Sequence, residues 1–310
     1  VLLKHFADKL RGLFRSHGRP KRDEAAELAA RLEQNVLRLV GNMPTMPDIA
    51  TRAMALANNP ATRADDFARL IEGDAAIATE LLRIANSVAY SGGAPAVKLP
   101  QAVVRLGIFP CKNLVLSISL KSLIWGMTGE ERSQCEALWQ HGFVTGSLCR
   151  RINRSCRLLF DGEEFSAGLL HDVGRTLLLL ADPECFARAA GLDFRDDGAV
   201  LGREREAIGI DHCALGAWFG ENSNLPDVLI RAMRSHHEPG SAEGSAGLVA
   251  LVAAADHMAN HLQRGEGGDT YRPEENPWLD HLWWNWPEGK KERLFGEIPS
   301  MMAEAAQAAA

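Results

Sequence analysis

Seven imidazole and carboxylate side chains stand out in the 310-residue chain: His141, His171, Asp172, His212, His236, His237 and Asp256. Imidazoles beside carboxylates form a mixed nitrogen–oxygen donor set, which suits Mn, Fe, Ni or Zn. A carboxylate among them can bridge two divalent ions, and such a pair can clamp a phosphate and activate a water between them. Each residue alone also has a plainer reading. A single helical histidine is more often packed or solvated than a ligand. His212 could cap a helix, and His236-His237 could sit at a helix C-terminus, where the macrodipole favours a cation. In order, however, the series H, HD, H, HH, D is more specific than any of its members.

Local context sharpens two of them. Asp256 follows Leu251-Val252-Ala253-Ala254-Ala255 on an apolar helical stretch. A carboxylate on a mostly buried helix needs a cation or several donors, because an unpaired buried charge is very costly. Adjacent His171 and Asp172 project about 100° apart on a helix; near a helix end both can reach into one cleft.

The elements that must position these groups read as helices nearly everywhere. Residues 23–40 place Leu28, Leu32, Val36, Leu39 and Val40 on one face. Met43-Pro44-Thr45-Met46-Pro47 is extended, because each proline disfavours the helical region for its predecessor. Asp48 caps a helix to Ala57, and Thr62 with Asp65 looks like a capping box for a helix to Glu72. Asp74 caps the next. A loop at 90–100, containing Gly92-Gly93, follows the polar pair Asn86-Ser87, which either orders the loop against the second lobe or simply ends the helix. Further helices fall near 100–106, 110–125, 131–153, 164–180, 183–190, 197–209, 212–222, 226–236 and 245–263. Strand-like alternation is absent. The expected architecture is all-α, with two packed helical lobes. Its segments are a basic amphipathic stretch at 1–22, a first lobe at 23–128, a second lobe at 129–263, and a tail at 264–310. The tail carries Trp278, Trp283, Trp284 and Trp286, as a lid on the body or an interface, and ends in an Ala-rich stretch that is helical or frayed.

Composition excludes several classes. Apolar residues at 46% and charged residues at 24% are ordinary for a globular protein. The most apolar run, Leu114 to Trp125, is interrupted by Ser117, Ser119, Lys121 and Ser122, so no membrane span is expected. The six cysteines form no C-x-x-C pair and no secretory signal precedes them, which points to a reducing cytoplasm rather than a disulfide framework. Residues 1–22 carry a net +6, leaving −12 for the remainder. An acidic body is a poor general binder of nucleic acid. The helical apolar spacing of Leu2, Leu3, Phe6, Leu10, Leu13 and Phe14 beside basic residues fits weak membrane-surface contact, or a helix that docks on the body or joins a further domain. The chain begins at Val1, as a fragment would.

The residues around the series are familiar. Ala167-Gly168-Leu169-Leu170-His171-Asp172-Val173-Gly174-Arg175, His212-Cys213-Ala214-Leu215-Gly216, His236-His237-Glu238 and Ala255-Asp256 resemble the HD superfamily of metal-dependent phosphohydrolases. Met43-Pro44-Thr45-Met46-Pro47, the run Leu81-Leu82-Arg83-Ile84-Ala85-Asn86-Ser87, and Gln101-Ala102-Val103-Val104-Arg105-Leu106-Gly107 resemble the HDOD domain, the HD-related output domain of bacterial signalling proteins. The resemblance spans about residues 35–262. It implies an all-α fold, an HD-like second lobe, and a role in signal transduction beside a receiver or sensory domain or a signalling protein partner. Many HDOD domains resemble HD hydrolases that have lost their ligands, whereas this chain keeps a complete series. In that respect it is similar to the HD-GYP cyclic di-GMP phosphodiesterases. It departs from them in two motifs: Val173-Gly174-Arg175 stands where I-G-K is usual, and Pro239-Gly240-Ser241 follows the histidine pair in place of G-Y-P. A glutamate that would add a third ion falls at Ala137.

Two functions follow. One is a regulatory module that acts by protein interaction, with or without one or two divalent ions in its cleft. The other is a binuclear phosphohydrolase acting on a cyclic dinucleotide or nucleotide. In the second, the resemblance implies that Asp172 bridges the ions. His141, His171 and Asp256 hold one, His212 with His236 or His237 holds the other, and Arg175 contacts phosphate.

Overall fold

The computed structural model describes residues 46–309 apart from 58, 87–93, 123–127, 190, 196–197, 243 and 283–288. The basic segment 1–22, the helix expected over 23–40, Gly92-Gly93 and Trp283, Trp284 and Trp286 therefore lie outside the described residues. Among the described residues every regular element is helical, and no single helix is long and apolar enough to cross a membrane.

The first half comprises α1 (Asp48–Ala57), α2 (Ala64–Ile71), α3 (Ala75–Ala85), α4 (Leu99–Leu106) and α5 (Ile108–Ser122). The Asp74 carboxylate accepts from the backbone N–H groups of Ala76 and Ile77, both at 3.0 Å, and so starts α3. The cap of α2 differs from the T-x-x-D expectation. The helix begins at Ala64; Asp66, not Asp65, reaches back to the Arg63 N–H at 3.0 Å. Thr62 instead donates its hydroxyl to Leu56 O at 2.7 Å, which removes it from the cap. Asn86 is an ordered helix end: its side chain both accepts from Ala96 N–H (2.7 Å) and donates to Ala96 O (2.9 Å). It pins Ala96 to the end of α3, within the first half. Helices α4 and α5 meet at 110°. Gly107, at φ +90°, makes that corner possible.

The second half comprises α6 (Gly129–Cys156), α7 (Glu163–Leu170), α8 (Val173–Ala181), α9 (Pro183–Ala189), α10 (Val200–Ile208), α11 (His212–Asn222), α12 (Asp227–Ser235), α13 (Ala246–Gln263) and α14 (Lys290–Ala309). The single helix expected at 164–180 is two helices. The chain breaks at Asp172, whose φ −103° and ψ 14° leave the helical region. Apolar periodicity continues through the break because both pieces bury Leu residues, so sequence pattern alone merges them.

The apolar core falls into two clusters. The smaller unites Phe67, Ile71, Leu81, Val103 and Val115. The larger runs from α6 to α14 and also takes Met54, Leu116 and Leu120. Adjacent residues of α5 thus face different clusters, Val115 one and Leu116 the other, which makes α5 the shared wall. Each fully buried Leu stabilises the fold by about 1.5–3 kcal/mol. The C-terminal segment packs on the body: α14 lies along α6, where Ser155 donates to Glu297 (2.5 Å), Lys290 donates to Cys156 O (3.1 Å), and Arg151 pairs with Glu304. Trp278 is half-buried against the larger cluster.

Glycines set the approach of α6 to α7. A Cβ on Gly142 would stand 2.5 Å from Leu169 O, and one on Gly146 2.7 Å from Phe165 O. The backbones touch there because neither position carries a side chain, and this contact brings His141 beside His171. Gly174 does the same for α8 and α11; a Cβ there would collide with the His212 carbonyl. Gly146→Ala is expected to lower stability by about 1–3 kcal/mol through overpacking. Gly202→Ala, on the exposed face of α10 with nothing within 4 Å, is expected to be neutral or stabilising by ~0.4–1 kcal/mol. Denaturant titration of both variants checks this; equal stabilities would remove the seam as a constraint.

Candidate metal centre

The seven residues come from five places in the chain and meet in one pocket. His141 projects from the middle of α6. His171 and Asp172 occupy the α7–α8 corner. His212 is the first residue of α11, His236 and His237 follow the end of α12, and Asp256 sits on α13. The corner is what lets neighbouring His171 and Asp172 serve the same pocket.

Asp172 divides the donors into two groups. Its Oδ1 lies 3.3 Å from His212 Nε2 and 3.4 Å from His236 Nε2. Its Oδ2 lies 3.8 Å from both His141 Nε2 and His171 Nε2. On the Oδ2 side, Asp256 Oδ1 is 2.9 Å from His141 Nε2 and 3.5 Å from His171 Nε2. On the Oδ1 side, His212 Nε2 is 3.3 Å from His236 Nε2 and 3.1 Å from His237 Nε2.

The ring tautomers follow from what the other nitrogens do. His171 Nδ1 donates to Gly168 O at 2.7 Å. His236 Nδ1 faces Ala232 O (3.2 Å) and Met233 O (3.1 Å), which only an N–H can satisfy. His212 Nδ1 donates to Glu204 at 2.8 Å. Each ring therefore turns its Nε2 to the pocket, where that nitrogen can offer a lone pair once it carries no proton. The Nε2 atoms of His141 and His171 are buried, and both face the Asp256 carboxylate. Buried imidazole nitrogens converging with carboxylates form a nitrogen–oxygen donor set that fits a cation.

Electrostatics point the same way. Burial opposes the charge of Asp172, but His171, His212, His236 and Arg175 hold its pKa well below 3.8. Burial likewise opposes Asp256, and His141 and His171 hold it down. Burial also opposes a charge on His171, yet Asp172 and Asp256 overcome it and raise its pKa to about 9. His236 moves the other way, to about 4, through burial and the neighbouring His237. Cys213 adjoins the second group, its Sγ 3.9 Å from the His236 ring. Burial, reinforced by Asp211 and Asp172, pushes its thiol well above the ordinary range and keeps it protonated.

A small cleft opens onto the centre beside Arg175, Phe194, Arg195, His237 and Asn260. Arg175 is not idle there: its guanidinium lies 3.4 Å from Asp172 Oδ2 and donates to Gly191 O at 2.9 Å. Several residues of the site were not singled out from sequence. Asn260 donates to Asp256 Oδ1 at 3.0 Å; its position four residues after Asp256 on a helix was an available signal. Phe194 covers the His141 ring, centroids 5.3 Å apart, and no local pattern marks it. Glu204 lies in a run of charges, Arg203-Glu204-Arg205-Glu206, that reads as a solvated face.

Comparison with known proteins places this arrangement. The HDOD domain family model matches residues 43–239. The chain belongs to the HDOD family. A crystal structure of an HDOD domain protein of unknown function from Geobacter sulfurreducens superposes with a TM-score of 0.73 at 22% identity, covering 90% of this HDOD chain and 97% of that one. A Shewanella amazonensis protein provisionally named a metal-dependent phosphohydrolase gives a TM-score of 0.60 at 18% identity, covering 92% and 99%. A Marinobacter aquaeolei protein provisionally named a signal transduction protein gives 0.65 at 18% identity, covering 90% and 65%. These likenesses establish the all-α HDOD fold. An uncharacterised protein of Treponema pallidum is 24% identical over 247 residues, 78% of this HDOD chain. The chain spans 47% of the length of that curated relative.

In the metal-free protein, Asp256→Asn is expected to lower the pKa of His171 from about 9 by on the order of one unit, because one of the two charges that offset its burial is gone. An NMR titration of the histidine ring protons reads this. An unchanged value would mean that Asp256 does not act on His171.

Proposed function

We propose that this HDOD chain is a signal-transduction module that acts through a protein partner, and that its second half holds divalent metal at the centre around Asp172. The observation that carries the reading is the division of the Asp172 carboxylate, with one oxygen toward His141, His171 and Asp256 and the other toward His212, His236 and His237. The donor set is nitrogen and oxygen, which suits Mn, Fe, Ni or Zn. When bound, such ions would supply Lewis acidity toward a phosphate oxygen and lower the pKa of a bound water.

The chain's own residues favour a module over a hydrolase. Arg175, which the HD-GYP resemblance assigns to phosphate, is instead engaged by Asp172 and the Gly191 carbonyl. An arginine committed to two protein groups restrains the carboxylate more readily than it recruits an anion. The upstream receiver or sensory domain, or a separate signalling partner, is part of the same proposal.

A second reading, a phosphohydrolase acting on a cyclic dinucleotide, draws on the complete donor series and on the cleft that reaches it. Elemental analysis of protein purified without chelator is expected to give one or two equivalents of transition metal per chain, lost in Asp172→Ala while the helical circular dichroism persists. Protein that carries no metal and takes up none on dialysis would sink the metal centre. Incubation of the metal-loaded protein with cyclic di-GMP is expected to give no product. Turnover that Asp172→Ala abolishes would overturn the module reading in favour of the enzyme.

A further inference from the structure

Glu204 lies on α10, outside the seven residues that face the pocket, and its side chain has no solvent exposure. One oxygen serves a single neighbour twice. Oε2 accepts from the His212 backbone N–H at 2.9 Å and from His212 Nδ1 at 2.8 Å. The other oxygen, Oε1, is buried without a hydrogen-bond partner. The next residue, Arg205, points elsewhere and pairs with Asp211 at 2.5 Å. Asp211 in turn caps α11 through Ala214 N–H at 2.8 Å.

This pattern exceeds what a helix cap requires. Asp211 already satisfies the start of α11, and a short polar side chain is the ordinary choice for that task. A fully buried carboxylate is costly unless a cation or several donors compensate it. Glu204 receives two donors, both from His212, and its adjacent arginine is committed to Asp211. What remains is the far side of the same imidazole. There His212 Nε2 stands among His236 Nε2 (3.3 Å), His237 Nε2 (3.1 Å) and Asp172 Oδ1 (3.3 Å). A cation at that junction would be shared electrostatically by Asp172 directly and by Glu204 through the ring. A carboxylate behind a ligating imidazole fixes its tautomer and orientation and raises its donor strength.

We propose that Glu204 is the positioning residue of the metal position formed by His212, His236 and His237, selecting the His212 tautomer whose Nε2 is free to ligate. The proposal rests on the metal-centre reading above and adds a residue that the HD series does not contain. It also makes the two metal positions unequal. The His212 position is braced from behind by a carboxylate. On the other side, His171 is braced only by a backbone carbonyl, and His141 Nδ1 has no hydrogen-bond partner.

The test combines zinc titration of the full chain with long-range 1H–15N NMR of the histidine rings. In metal-free wild-type protein His212 is expected as the Nδ1–H tautomer. In Glu204→Gln the zinc affinity of one position is expected to fall about 10–100-fold, with the other unchanged. Arg205→Ala, which breaks the neighbouring brace to Asp211 without touching His212, is expected to keep both positions at wild-type affinity. Wild-type uptake that Glu204→Gln leaves unchanged would overturn the role of Glu204 alone. Wild-type protein that takes up no zinc would instead overturn the metal-centre reading. An Nε2–H tautomer of His212 in the wild type would also overturn the proposal, and this readout needs no variant should Glu204→Gln fail to fold.

Discussion

The constraint on which the second half of this protein depends is the burial of two carboxylates, Asp172 and Asp256, in a pocket walled by helices. A buried anion is tolerated only with compensation. Here compensation is spread over histidines from α6, α7, α11 and α12 and an arginine from α8. Each helix is thereby tied to the same point. The arrangement explains why the pocket is polar at the centre of the larger apolar cluster, and why each imidazole that donates outward does so to a carbonyl or to Glu204 rather than to solvent.

Placing charge at the centre of a helical body demands close helix approach, and glycine supplies it. Gly142 and Gly146 let α6 meet α7 backbone to backbone, and Gly174 lets α8 meet the start of α11. These contacts set the separation of His141 from His171 and of Asp172 from His212. The pairs of interacting side chains and the glycines beside them form one design: His141 precedes Gly142, and Asp172 and Gly174 flank Val173. A change that widens the seam moves a ligand as directly as a change in the ligand itself.

The two halves of the fold carry different burdens. In the first half Asp74 and Asn86 act locally, at the start and end of α3, while Lys112 and Asn113 of α5 turn to Gly162 O and Ser166 of the second half. In the second half buried polar groups reach across the chain: Asp172 contacts residues forty and sixty-four positions later, His212 and His236. Membership of the HDOD family accounts for the shared fold. The histidine and carboxylate groups around Asp172 are what set the second half apart chemically.

Much of this was legible in the linear order of residues. Apolar spacing of 3.6 announced helices; the H, HD, H, HH, D series named the pocket's members; and Asp256 on an apolar stretch announced a buried charge in need of partners. Those features are local in sequence or depend only on residue type. Three things were decided by the tertiary structure. The break at Asp172 was invisible, because leucines continue the apolar pattern on both sides of it. The division of the Asp172 oxygens between two donor groups arises from the angle between α7 and α8, which no spacing rule encodes. Glu204 reads as one charge among four on an exposed face. Only the docking of α10 against α11 removes it from water and sets it behind His212. Burial is a property of what packs on a residue, so the sequence could name the groups able to do chemistry but not the neighbours that make them do it.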